Sequence, residues 1–177
     1  MKAEFLHVRG RLPVTTRHQV RKSSDRSGFT LVEIMMVVLV IALLAAIAFP
    51  AFTKARRQTQ VVATANDLRK FSDAFDMYAM EQAGFPPDCH LDDPWHLPNE
   101  EIEKYLDREK WKAETPLGGN YNWEGPDSYP YAGISLVGSS AGVDVFRAID
   151  EVLDNGDLTT GLFRQTPNGR YTYIIEE

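Results

Sequence analysis

An acid stands at the edge of a segment that should exclude one. Gly28-Phe29-Thr30-Leu31-Val32-Glu33 leads into residues 34–52, IMMVVLVIALLAAIAFPAF, nineteen positions without a charge. An unpaired ionisable group in such a segment costs a few kcal/mol or more, so Glu33 points to a cationic partner. A cut between Gly28 and Phe29 would create one, because the new α-amino group has a pKa of about 8 and lies at the same depth. Glu33 of one copy could then neutralise the Phe29 amine of the next. Since burying either charge alone is heavily penalised, the pair would act as a register lock for assembly.

Two other stretches gather groups capable of chemistry. Residues 88–96, DCHLDDPWH, collect metal-ligand types in one loop, but Cys89 is the sole cysteine. No paired spacing completes a zinc motif and no internal disulfide can form, so this reads as a surface loop pinned by Trp95. Residues 150–157, DEVLDNGD, set Asp150, Asp154 and Asp157 around a glycine. Clustered oxygens suit Ca²⁺, although the spacing does not match an EF-hand. The competing reading is a helix C-cap at Asn155-Gly156 with solvated acids. No Ser/His/Asp order, HExxH or Walker loop is present, and Gly118-Gly119 is followed by no Lys-Ser/Thr, so the chain reads as a non-enzyme that requires no cofactor.

These groups need elements to hold them. The uncharged run is close to the roughly 20 residues a helix needs to cross a bilayer. Residues 1–28 carry seven Lys/Arg against two Asp/Glu, which holds the N-terminal side in the cytoplasm and leaves the bulk of the chain facing outward. The remainder has 12 basic and 23 acidic residues, and an acidic body without a basic stripe excludes nucleic acid as principal partner. A secretory signal, a plain anchor and a buried core helix compete for the apolar run. A signal has a shorter apolar stretch ending in small residues. A plain anchor gives no reason for Glu33.

Ser27-Gly28-Phe29-Thr30-Leu31-Val32-Glu33 followed by a long apolar helix resembles the processing signature of type IV prepilins and of the pseudopilins of type II secretion systems. The resemblance implies that a prepilin peptidase cuts after Gly28 and methylates Phe29, and that Glu33 serves assembly. Pro50, inside the predicted helix, is then a kink or melting point used in filament packing. Lacking a cysteine pair, the chain is closer to a pseudopilin than to a pilus subunit with a disulfide loop. Major pseudopilins are similar in layout, with a spine helix, a small sheet and a calcium loop near the C-terminus, which implies Ca²⁺ at Asp150, Asp154 and Asp157. Also implied are a single-pass place in the bacterial inner membrane with a periplasmic head, and a homopolymer formed through the N-terminal helices. Its partners would be the peptidase, other pseudopilins and an inner-membrane assembly platform. A membrane-anchored extracytoplasmic binding or receptor protein is the alternative.

Beyond Pro50, apolar residues recur at spacings of three and four from Val61 to Tyr78, predicting a helix to about Ala83 that stops at Gly84 and Pro86-Pro87. A short helix from Asn99 to about Lys112 is predicted by its cap and early acids. Strands are expected around Tyr121–Trp123 and over Tyr129–Val137, with a helix from Val143 to Leu153. A hairpin is expected to join Thr160–Arg164 to Arg170–Ile175 through Pro167-Asn168-Gly169. The expected fold is α+β and pilin-like: a long N-terminal helix, half membrane-spanning and half amphipathic, packed on a small antiparallel sheet. The expected organisation is a leader (1–28), an assembly helix (29–53) and a head (54–177).

Overall fold

A computed structural model describes residues 28–89 and 100–177. The basic leader, and His90 to His96 of the candidate ligand loop, lie outside the described residues. The chain divides into two compact units at Leu43–Leu44.

One helix, α1, runs over Leu31–Gln82. It contains Pro50 without interruption, although proline cannot donate to the carbonyl four residues back. The Thr53 hydroxyl donates to the Pro50 carbonyl at 2.9 Å. At its other end the expected glycine cap is absent: Ala83 takes the left-handed conformation at φ +59°. The Gly84 N–H returns to the Ala79 carbonyl at 3.0 Å, closing the helix one residue earlier than the sequence suggests.

The second unit is built on a four-stranded antiparallel sheet in the order β1-β2-β4-β3. The strands are β1 (Asn120–Glu124), β2 (Ala132–Val137), β3 (Phe163–Gln165) and β4 (Tyr171–Glu176). Tyr129 to Tyr131 lie before β2, so the second strand starts later than expected. The helix expected up to Lys112 is two pieces, a 3₁₀ turn (Glu100–Lys104) and α2 (Arg108–Lys112). Asp107 divides them, its carboxylate accepting from the Lys110 N–H at 3.1 Å as a helix N-cap. Helix α3 (Val143–Leu153) falls where the periodicity places it.

The three-and-four spacing of α1 puts Val61, Leu68, Phe71 and Phe75 on one buried face. Phe75 stacks on Trp123 of β1 with ring centroids 3.8 Å apart, and Phe71 meets Tyr121 edge-on at 4.8 Å. Burying each such side chain contributes roughly 1.5–3 kcal/mol, so these aromatics join helix to sheet. Two buried acids are satisfied locally. Asp67 pairs with Lys110 and accepts from the Tyr121 hydroxyl at 3.2 Å. Glu124, fully buried, accepts from Tyr131, Asn168, Arg170 and Thr172 at 2.8–3.3 Å. It thereby ties the end of β1 to the β3–β4 hairpin. Burial, and then the Glu124 carboxylate, push the Tyr131 hydroxyl up to about 12.

Candidate assembly site

Residues 28–30 precede α1 and are not helical, and the Phe29 side chain is 81% exposed. Thr30 and Glu33 form a reciprocal cap. The Glu33 carboxylate accepts from the Thr30 N–H at 2.8 Å and from its hydroxyl at 2.9 Å, while the Thr30 oxygen accepts from the Glu33 N–H at 3.3 Å. A helix leaves its first N–H groups without internal partners, and this arrangement gives partners to two of them, those of Thr30 and Glu33. Its signal, Thr-x-x-Glu before an apolar run, lies in the sequence itself. The cap meets the hydrogen-bonding needs of Glu33 but does not neutralise it. Among the described residues no basic side chain pairs with it.

From Phe29 to Phe52 every large apolar side chain is at least 50% exposed. Among the described residues α1 is the one helix long and apolar enough to cross a membrane, and the apolar window within it is not buried. A core helix would be covered, so that reading of the run is set aside.

Residues 23–49 match the prokaryotic N-terminal methylation motif, a stretch that contains Gly28, Phe29 and Glu33. The chain carries a prepilin-type methylation signal. It is similar to type II secretion system core protein G of Pseudomonas aeruginosa, 36% identical over 62 residues, which are 35% of this chain and 44% of that protein. Similarity to core protein G of Escherichia coli is 26% over 106 residues, 60% of this chain and 64% of the relative. The chain thus spans from under half to just under two thirds of the relatives it matches. No solved structure matches it. The prepilin-like resemblance and the α+β layout of long helix on small antiparallel sheet both hold.

The C-terminal acids are less united than their spacing suggests. Among the described residues no three His, Cys, Asp or Glu side chains gather as a metal would need. Asp154 Oδ2 accepts from the Leu162 N–H at 2.6 Å, and Asp157 Oδ1 accepts from the Thr159 N–H at 3.1 Å. Both thus serve as turn acceptors. The helix cap is Asp154 rather than Asn155, and Gly156 adopts φ +82°. Asp150 is not solvated: it is fully buried and both carboxylate oxygens lack a hydrogen-bond partner. Desolvation and the nearby Asp154 charge raise its pKa, while the amides of Asn155 and Gly156 pull the other way.

Proposed function

We propose that this chain is a structural subunit of a type II secretion pseudopilus. The observation that carries the reading is Glu33, capped but not neutralised, at the head of an exposed apolar helix inside a methylation motif. Prepilin peptidase cuts after Gly28 and the Phe29 amine is methylated. In the filament that amine, cationic at neutral pH, meets Glu33 of a neighbouring copy, and each charge offsets part of the other's desolvation cost. Pro50 lacks one helical hydrogen bond and gives the helix a place to yield during packing. Before assembly residues 34–52 anchor the subunit in the inner membrane with its head in the periplasm. The role is structural rather than catalytic, and the other partners are further pseudopilins and an assembly platform in the same membrane. For the C-terminal loop, Asp150, Asp154 and Asp157 are the residues that would hold Ca²⁺, with Asp150 the buried carboxylate among them.

Mass spectrometry of the chain from its own cells tests the processing step. The expected mature N-terminus is a methylated Phe29, and an intact leader or a cut after residue 52 defeats the proposal. Glu33→Ala is expected to insert in the membrane and to form no filament. A variant that polymerises normally excludes Glu33 from assembly.

A further inference from the structure

The solvent-facing side of α1 beyond the apolar run has two unlike halves. At about 100° per residue, Ala55, Thr59, Val62 and Asn66 share one face. With Gln58 and Ala63 they line a shallow hollow of about 520 Å³. Further along the same face Met77 and Met80 stand out, 54% and 83% exposed. Charge follows the same division. Residues 54–63 include Lys54, Arg56 and Arg57 and no acid, whereas residues 71–82 include Asp73, Asp76 and Glu81 and no base. Arg57 is committed to Asp144, which leaves Lys54 and Arg56 at the flanks of the hollow. Around the methionines the acids crowd one another: desolvation, and then Asp73 and Glu176, raise the pKa of Asp76.

We propose that the hollow at residues 55–66 of one copy receives Met77 and Met80 of a second copy, with Lys54 and Arg56 set against the acids around those methionines. This rests on the filament reading above. Unbranched methionine side chains suit a shallow hollow, because they adapt to its outline. Helical phase puts Arg56 on the flank that faces Asp76 of a parallel neighbour, and Lys54 on the flank that faces Glu81. Hollow and methionines are separated by about 18 residues, or ~27 Å at 1.5 Å per residue. Two copies anchored at one depth set hollow beside hollow and base beside base. The contact therefore forms with a copy further along the filament than the one whose Phe29 amine meets Glu33, raised by nearly the ~30 Å thickness of the hydrocarbon core. Because the two surfaces differ, each copy offers one upward and one downward, and the contact propagates rather than closing.

Cysteine cross-linking tests this in the full-length chain, expressed in its own cells with Cys89→Ser removing the native thiol. The variant carrying both Val62→Cys and Met80→Cys is expected to give a ladder of covalent trimers and larger species on oxidation. Each single variant should give none, and Glu33→Ala should abolish the ladder. Filaments seen by electron microscopy without a ladder overturn the contact and leave the filament reading standing. A ladder that persists with Glu33→Ala also overturns it, since unassembled subunits would then make it. If no filament forms with Glu33 intact, the filament reading fails and the contact falls with it. Thermal unfolding of the double variant checks that the head is intact, and a charge exchange avoids cysteines altogether. Arg56→Glu is expected to lose filaments and Arg56→Glu with Asp76→Arg to regain them, and absence of that rescue counts against the pairing.

Discussion

Asp150 and Glu124 are both fully buried carboxylates, and their surroundings give them opposite characters. Glu124 has four donors, one of them Arg170, and is a satisfied charge inside a polar network. Asp150 has no side-chain donor for either oxygen, only the Asn155 and Gly156 amides nearby. Such a group is held neutral or meets a cation. Ca²⁺ binding is therefore expected to raise the melting temperature of the wild-type chain, with about 2.7 kcal/mol of stabilisation at a hundredfold excess over Kd. Asp150→Asn should not respond. The effect should fade in acid, as protons compete for the carboxylate. Calorimetric scans with Ca²⁺ and with a chelator decide the matter, and an unchanged wild type excludes calcium at this residue.

At the scale of elements, α1 carries its own start signal in Thr30 and Glu33 but closes against its sequence. Ala83 adopts φ +59°, a conformation that costs a residue with a Cβ roughly 1–2 kcal/mol. A Cβ-free residue at that position would remove the cost, while Gly84, one place later, does not take the left-handed turn. Ala83→Gly is expected to stabilise the fold by about 0.5–1 kcal/mol, somewhat offset by the greater freedom of glycine in the unfolded chain. Urea unfolding of the two proteins checks this, and a lower midpoint for the glycine variant would place the strain elsewhere. The opposite kind of glycine is Gly119. Its φ of +76° opens β1, and an added Cβ would collide with the Val137 carbonyl and the Ser139 backbone.

At the scale of the whole molecule, the buried hydrophobic cluster draws on residues 61–163, with Tyr171, Tyr173 and Ile175 packed against it. None of it comes from residues 28–53. A head made of residues 54–177 should accordingly unfold in one cooperative transition and run as a monomer by size exclusion. A broad melt would show that the apolar run contributes to folding, and an oligomer would show that the head associates without it. The long exposed apolar segment is explained by its surroundings rather than by its own chain, since lipid or neighbouring helices must cover it.

How much of this was legible beforehand varies by element for physical reasons. The candidate assembly site is local in sequence: charge, cap and apolar run lie within residues 28–52, so Glu33 follows from its place at the apolar edge, while Gly28 and Phe29 follow from the prepilin resemblance of the motif. The core face of α1 and the extent of α3 follow from helical periodicity, which is likewise local. Asp107, which divides the expected 99–112 helix, was also in plain view, but a cap competes with helical continuation, and in the fold its carboxylate caps α2 while Trp111 is buried. What the sequence could not decide is long-range. Glu124 is sheltered by side chains 7 to 48 positions away, and Asp150 is buried by a fold that its acidic neighbours gave no reason to expect. The sequence by itself determined the methylation motif over residues 23–49 and the apolar run of residues 34–52 that it overlaps. Only the tertiary structure decided which of its acids are paired, which is left without a side-chain donor, and which face of α1 remains uncovered, because those outcomes depend on residues brought together from distant parts of the chain.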